Sequence, residues 1–291
     1  MSGSMQSLQH RINGAGDLEG VVRAMKALAA SSIGQYEKAV ASLNDYYHAV
    51  ELGLSVCLRE AGPIKDAKGG LVGAVVFGSD QGLVGRFNEV VVDFATETLK
   101  KLPGKLQNFW AVGERVDALL SDTGATSVTP FSVPTSVHTI TELVGRILVE
   151  IESARVSGTV VEIYVFHNQP KSGATYAPVF RQLLPLDNAW QQKLAALQWP
   201  GKSRPEVLGR AAAAAAGFIR GYLFMLLFQA CAESLNSENA SRLAAMQRAE
   251  KNIKSILEDL TRDFHRVRQA SIDEELFDVV SGFEALTEKR L

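Results

Sequence analysis

The chain has 291 residues, 46% of them hydrophobic and 21% charged, and a formal net charge of −2. This length is enough to bury a substantial core, and the near-neutral charge argues against a general nucleic-acid-binding protein. Cys57 and Cys231 have no disulfide or metal-ligand spacing and are interpreted as buried thiols. The first residues lack a basic segment followed by an apolar run, so no secretory signal peptide is expected.

A long helix is predicted at the N-terminal end. All nine prolines lie between Pro63 and Pro205, and proline breaks helices because it lacks an N–H and clashes with the preceding turn. In residues 1–62, apolar side chains from Leu8 to Cys57 recur at steps of three or four, the spacing of a coiled-coil helix. This segment is therefore predicted to form one helix of roughly 80 Å.

Three glycines lie near the start of this helical pattern, at Gly14, Gly16 and Gly20. Glycine lowers helix propensity. The three residues therefore predict either a flexible entry to the helix or a close crossing with another helix, and the pattern alone leaves both open.

The middle of the chain, residues 63–205, is predicted to be an inserted α/β domain. Short apolar, β-branched runs that end in turn residues predict strands, and the segments between them have helical spacing. The predicted strands are 71–77, 108–112, 159–166 and 176–184, and the predicted helices are 88–101, 137–155 and one that begins at Glu114. Strands that alternate with helices indicate a partly parallel, Rossmann-like sheet. Residues 185–205 are predicted to be a loop.

A second long helix is predicted in residues 206–291, where apolar side chains again recur at steps of three or four. It could approach 120 Å, because a helix rises about 1.5 Å per residue. The segment Ala211–Ala232 is long enough to span a bilayer. However, Arg220 lies near its centre, where a charge is costly in lipid, so a buried helix is predicted in place of a transmembrane span.

One glycine-rich turn follows the first predicted strand, in the segment Gly78–Asn88 with the sequence GSDQGLVGRFN. A turn in this position can cradle a phosphate group, but its spacing fits neither common nucleotide-binding motif. A structural strand-to-helix turn is the preferred interpretation. No histidine pair has metal-ligand spacing, and no nucleophile motif is present, so no catalytic, cofactor-binding or metal-binding residue is predicted.

Other segments of the chain belong with this turn in one pattern. They are Leu8–Ile12, Ala24–Lys26 with Ala29 and Ala30, Glu233–Glu238 with Arg242 and Met246, and Arg268–Ile272 with Glu275, Leu276 and Val279–Gly282. Together with the turn at 78–88 they resemble the gamma subunit of F-type ATP synthases, whose turn reads G-S-D-R-G-L-C-G-x-F-N. The resemblance covers nearly the whole chain in the right order. Gln81, Val84 and Arg86 depart from the family's turn, and these departures are interpreted as a divergent branch, such as an alternate synthase of a bacterium.

The resemblance implies an α/β fold in which the N- and C-terminal helices form a long antiparallel coiled coil. A Rossmann-like α/β domain is inserted between these two helices in the sequence. The domains are then 1–62, 63–205 and 206–291. It also implies a central rotor shaft, a non-catalytic subunit without a cofactor or a transmembrane span. Such a shaft couples proton or sodium flow to ATP synthesis or hydrolysis at the beta subunits. A structural coiled-coil adaptor without a rotary role is the alternative, and a nucleotide-binding enzyme that uses the turn is a third interpretation.

The implied partners are the alpha and beta subunits of the catalytic ring, the epsilon subunit and the membrane c-ring. The chain would then lie peripherally on the cytoplasmic face of a bacterial plasma membrane. Six residues match family positions for contacts with the ring: Met25, Lys26, Arg242, Arg268, Gln269 and Glu275. For Met25 a place in the apolar seam is the rival interpretation. For Lys26, Arg242 and Glu275 the rival is solvated helix surface.

Overall fold

The computed structural model describes residues 2–62, 71–102, 105–124, 128–158, 160–171, 175–203 and 205–288. Helix α1 covers Ser2–Ala61 and helix α6 covers Ala211–Glu288, so the long terminal helices are confirmed. The chain divides into two compact units, Met1–Leu28 with Leu243–Leu291 and Ala29–Arg242. The predicted division at residues 62 and 205 is a different partition, by type of structure, and stays a prediction.

Within the unit Ala29–Arg242, α1 and α6 run antiparallel. The rings of Tyr47 and Tyr222 lie 6.2 Å apart. Further along α1, a Cβ atom at Gly53 would lie 2.3 Å from the ring of Phe218, which comes earlier in α6. Gly53 therefore allows the close approach of the two helices.

Within the described chain, no close helix crossing is made at Gly14, Gly16 or Gly20. A Cβ at each of these three positions would meet no neighbouring atom within 4 Å. They lie in a continuous helix, so their lower helix propensity is overcome without a packing contact that requires glycine.

The central sheet has five strands among the described residues: β1 Leu71–Phe77, β2 Lys105–Val112, β3 Val128–Phe131, β4 Glu162–Lys171 and β5 Thr175–Leu184. Their order is β3-β2-β1-β4-β5, in which β5 is antiparallel to β4 and the other neighbours are parallel. Strand β3 was not predicted, because it has four residues and contains Pro130, which cannot donate to the ladder. Of the predicted strand at 159–166, Thr159 lies outside the described residues.

The remaining helices are α2 Phe87–Lys101, α3 Glu114–Asp122, α4 Val137–Val156 and α5 Asn188–Ala195. Helix α5 corrects the loop predicted for residues 185–205. Its N-terminus is capped by Asp187, whose carboxylate accepts hydrogen bonds from the backbone N–H groups of Ala189 and Trp190. An N-cap carboxylate satisfies N–H groups that have no partner within the helix, and this signal was present in the sequence.

The apolar core lies on both faces of the sheet, because successive strand residues point to opposite faces. Val75 and Phe77 face a cluster that includes residues of α4 and α6, whereas Ala74 and Val76 face α2 and α3. Among the described residues, α6 is the one helix long and apolar enough to cross a bilayer. Of its most apolar 18-residue window, 33% is buried. Residues between Leu223 and Leu235 contribute to the first cluster, so packing in the core covers this part of the helix.

Candidate functional site

The turn at 78–88 is held together by its own side chains. The backbone N–H of Ser79 donates to Asn88 Oδ1 at 2.9 Å, and Asn88 Nδ2 donates to Ser79 Oγ at 2.9 Å. The Ser79 hydroxyl in turn donates to the carbonyl of Gln81 at 2.9 Å. These three donors are therefore already used within the turn.

Asp80 ties this turn to two neighbouring segments. Its Oδ1 atom accepts from the backbone N–H of Glu114 at 3.0 Å, and its Oδ2 atom accepts from the N–H of Val133 at 3.0 Å. The Asp80 carboxylate thus takes the place at the start of α3 that an anionic ligand would occupy. This geometry favours the structural interpretation of the turn over a phosphate-binding one.

A second cluster is formed by the buried polar stretch, which we define as Ala230–Ser241 of α6. Every residue of this stretch is buried, so the helix is enclosed on all sides. The Ser237 hydroxyl donates to the carbonyl of Asn168 at 2.9 Å, and the Ser241 hydroxyl donates to the carbonyl of Val84 at 2.6 Å. The polar members are Glu233, Ser234, Asn236, Ser237, Glu238, Asn239 and Ser241.

Glu233 joins this stretch to strand β4. His167 Nε2 lies 2.8 Å from Glu233 Oε2, and Gln229 Nε2 donates to Glu233 Oε1 at 2.7 Å. Burial by itself would raise the pKa of the Glu233 carboxyl, but the hydrogen bonds from His167 and Gln229 outweigh burial and hold that pKa below its ordinary value. The ionised carboxylate is therefore the form that the fold favours.

The Arg242 side chain is largely covered by its own chain and pairs with Glu238. Its Nη2 atom lies 2.6 Å from Glu238 Oε1, and the two side chains are 13% and 6% exposed. Burial raises the pKa of the Glu238 carboxyl, and the neighbouring guanidinium offsets part of that rise. The rival interpretation of Arg242 as solvated helix surface is wrong, because the packing of α6 encloses it. Its predicted contact with a partner stays a prediction.

Two of the six predicted partner contacts lie on α1. Lys26 Nζ lies 2.5 Å from Glu250 Oε2 on α6, and Lys254 is 3.5 Å from the other carboxylate oxygen. The hydrogen bond from Lys26 lowers the pKa of the Glu250 carboxyl. Met25, the residue before Lys26, is half-buried. Lys26 thus has a partner within its own chain.

The other three predicted contacts, Arg268, Gln269 and Glu275, are exposed on α6. Within the described part of the chain, Arg262 and Arg266 pair along the helix with Asp259 and Asp263, at 3.3 and 3.0 Å. Arg268 and Gln269 make no such pair among the described residues. The structure therefore does not gather the six predicted residues into one cluster.

Close to these residues lies the apolar end, which we define as Ile272–Val280. It is an exposed run with large apolar side chains, and Phe277 and Val279 are 72% and 70% exposed. Exposed apolar patches of this kind mark interaction sites in soluble proteins. The apolar members are Ile272, Leu276, Phe277, Val279 and Val280. The side chains of residues 282–291 lie outside the described ones.

Sequence reasoning missed the role of the buried polar stretch. It used Glu233–Glu238 only as a segment that matches a family, whereas this part of α6 is helical and buried throughout. A usable signal was the spacing of Glu233, Ser237 and Ser241 at four-residue intervals, which places polar groups on one helix face. Among the described residues, no group of three or more His, Cys, Asp or Glu side chains could hold a metal ion.

Comparison with known proteins gives a consistent result. A sequence model of a family described as ATP synthase matches residues 4–286. The ATP synthase gamma chain of Cupriavidus pinatubonensis is 28% identical over 278 residues, which cover 91% of this chain and 94% of that one. The gamma chain of Dechloromonas aromatica is 25% identical over 290 residues, 97% of this chain and 99% of that one.

The fold is also similar to a solved structure, the rotor of the Euglena gracilis mitochondrial ATP synthase in rotational state 1. The TM-score is 0.63 at 16% sequence identity, and the match covers 94% of this chain and 100% of that one. At this identity the likeness supports the α/β fold with long terminal helices. Because the family model spans almost the full length of the chain, we conclude that this chain belongs to the ATP synthase family.

Proposed function

We propose that the chain is the gamma subunit of an F-type ATP synthase and acts as its central rotor shaft. The observation that carries this proposal is the exposed apolar end of α6 in a member of this family. A run of exposed side chains such as Phe277 and Val279 is costly in water and requires a partner surface to cover it. A ring of alpha and beta subunits that encloses the terminal helices is the partner we propose.

In this proposal the chain performs no bond chemistry. Ion flow, of protons or sodium, turns the shaft, and the shaft presents different side chains to each beta subunit in turn. Each catalytic site then passes through states of different nucleotide affinity. A rotation can shift such an equilibrium only if the shaft contacts the beta states differently, and an asymmetric pair of helices supplies that difference.

The proposed contacts with the ring are the six residues that match family positions. Arg268, Gln269 and Glu275 are exposed and suited to polar contacts with beta-subunit loops, because complementary charge can steer and register such contacts. Met25 and Lys26 would contribute from α1, and Lys26 would exchange Glu250 for a partner group. Arg242 would contact the ring while it stays paired with Glu238.

The α/β part of the chain would contact the epsilon subunit and the membrane c-ring. The chain would then lie peripherally, on the cytoplasmic face of a bacterial plasma membrane, without spanning it. The packing of Leu223–Leu235 of α6 in the core supports this arrangement, because these apolar residues are already covered by their own chain.

A native pull-down tests the function. The tagged chain, expressed in its own cell type, is expected to recover alpha and beta subunits in a complex that hydrolyses ATP. Recovery of other proteins without alpha and beta subunits would overturn the proposal in favour of a structural adaptor. Saturable binding of labelled nucleotide to the purified chain would favour a nucleotide-binding enzyme, against which the internal hydrogen bonds of Ser79 and Asp80 already argue.

A double substitution, Arg268→Ala with Gln269→Ala, tests the proposed contacts. Exposed residues of this kind contribute within about 0.5 kcal/mol to folding, so the isolated chain is expected to keep its stability. ATP synthesis by the reassembled complex is expected to fall. The matched control is Arg262→Ala, an exposed arginine that pairs along the same helix. Equal synthesis by the double variant and the control would contradict the proposed contacts.

A further inference from the structure

The buried polar stretch is the main concentration of buried polarity in the molecule. Of the thirteen buried polar residues among those described, eleven lie in this stretch or in the segments that face it. The facing segments are the turn at 78–88 and strand β4. Five buried polar atoms without a hydrogen-bond partner among the described residues also belong to this region, on His167, Asn168, Ser234, Glu238 and Arg242.

Three contacts from this stretch lie along one face of α6. Glu233, Ser237 and Ser241 follow one another at four-residue steps, and their partners are His167, the carbonyl of Asn168 and the carbonyl of Val84. Residues at this spacing share a helix face, and eight residues of helix extend about 12 Å. The three contacts therefore form a row along the helix axis.

The partners of this row are themselves fixed to the sheet. Asn168 belongs to β4, and its Nδ2 atom donates to the carbonyl of Phe87 at 2.8 Å. Val84 lies in the turn at 78–88, which Asp80 ties to the start of α3. The row thus connects α6 to the sheet and to the turn at the end of β1, within the unit Ala29–Arg242.

Apolar attraction is not directional, so apolar contacts set the angle of a helix about its axis only through the fit of its side chains. A hydrogen bond loses its energy when donor and acceptor are misaligned, and a buried donor left without a partner is costly. A row of directional bonds therefore adds to the resistance that side-chain packing offers against rotation of α6 about its axis and against sliding along it.

We propose that the Ser237 and Ser241 hydrogen bonds, with the His167–Glu233 contact, form a rotational lock that fixes the angle of α6 about its own axis relative to the sheet. This inference rests on the proposed rotor function. In a shaft, torque that enters through the α/β part must reach α6 without slip. Ser237 and Ser241 are then positioning residues for coupling, although they touch neither nucleotide nor a beta subunit.

The test uses the assembled, membrane-embedded complex with Ser237→Ala and Ser241→Ala combined. ATP hydrolysis without an ion gradient is expected to stay near that of the wild type, since no load then acts on the lock. Ion pumping per ATP hydrolysed against a gradient is expected to fall about threefold or more, because two directional bonds are lost. In single-molecule recordings, the angular fluctuation of a probe on the α/β part is expected to broaden.

The matched control is Ser234→Ala. Ser234 is a buried serine in the same stretch whose hydroxyl has no hydrogen-bond partner among the described residues. It should keep both pumping and angular width, so a general loss of packing is separated from loss of the lock. If the double variant fails to fold, each single substitution is measured by the same two readouts and should show a smaller change of the same sign.

Pumping and angular width equal to those of Ser234→Ala would overturn the lock while leaving the rotor function intact. Failure of the wild-type chain to assemble with alpha and beta subunits would instead overturn the rotor function itself. The two failures are therefore distinguishable.

Discussion

Two stretches of helix α6 show opposite relations between polarity and burial. In Ala230–Ser241 the side chains are mostly polar, and every residue is buried. In Ile272–Val280 large apolar side chains are exposed, with Leu276 at 61% and Phe277 at 72%. Each stretch reverses the usual rule that apolar residues lie inside and polar ones outside.

The difference teaches where each stretch finds its partners. Buried polar groups are almost always hydrogen-bonded, and Ser237 and Ser241 find acceptors within their own unit. The apolar end has no such cover among the described residues. Folding of the chain itself therefore provides the partners of the buried polar stretch. In our proposal, assembly with other subunits covers the apolar end.

The largest effect is expected for a substitution at Arg242, which pairs with Glu238 of the buried polar stretch. Arg242→Met leaves the Glu238 carboxylate buried without its partner, and the free energy of unfolding is expected to fall by about 3–5 kcal/mol. Chemical denaturation followed by circular dichroism measures it.

The control for this substitution is Arg266→Met. It breaks a pair of the same charge type on the same helix, but the Arg266 side chain is 77% exposed. Its cost is expected to be about 0–1 kcal/mol. Similar losses for the two variants would show that burial does not set the value of these pairs.

A matched pair of leucine substitutions sharpens the comparison directly. Leu235→Ala removes a side chain that is 4% exposed in the core, and the free energy of unfolding is expected to fall by about 2–5 kcal/mol. Leu276→Ala, in the exposed apolar end, is expected to change it by less than about 0.5 kcal/mol. In the assembled complex, Leu276→Ala should have a larger effect than in the isolated chain. A Leu276→Ala complex that assembles and turns over as the wild type does would argue against a covered apolar end.

The smallest effect is a pH dependence. The hydrogen bonds from His167 and Gln229 hold the pKa of Glu233 in the folded chain below its ordinary value, so its ionised form contributes stability above that ordinary pKa. This contribution is lost as the pH falls through the folded pKa. Glu233→Gln lacks it, so the difference in Tm between wild type and variant is expected to shrink on acidification.

Placing the same substitution in a His167→Gln background checks the cause of that pH dependence. The Tm difference should then depend less on pH, because the hydrogen bond from His167 is part of what lowers the Glu233 pKa. A Tm difference that stays constant from neutral to acidic pH in the otherwise wild-type chain would refute this assignment.

Much of the fold was predictable from local pattern. The apolar spacing of the ends and the absence of proline predicted α1 and α6, and the β-branched runs predicted β1 and β4. Strand β3 was not predicted because its four residues, one of them Pro130, are too few to show a recognisable strand pattern. Helix α5 escaped because its eight residues follow a proline-containing segment that resembles a loop, although Asp187 signals its start.

The candidate site was less predictable. Arg268, Gln269 and Glu275 were chosen by family resemblance, and their exposure is compatible with contact to a partner. Arg242 was chosen in the same way, yet it lies in a buried pair with Glu238. Whether a helix residue is enclosed depends on elements distant in sequence. The sequence pattern within α6 does not indicate where the turn at 78–88 and strand β4 lie relative to it.

The sequence by itself determined that two long helices flank an α/β domain, because helix and strand periodicities and proline positions are local properties of the chain. It also carried the family resemblance. Only the tertiary structure decided which face of α6 is polar and enclosed, since Ser241 meets Val84 and Glu233 meets His167 across large separations in the chain. Those contacts exist because the sheet and the turn bring their partner groups to α6, and burial then makes each bond costly to lose.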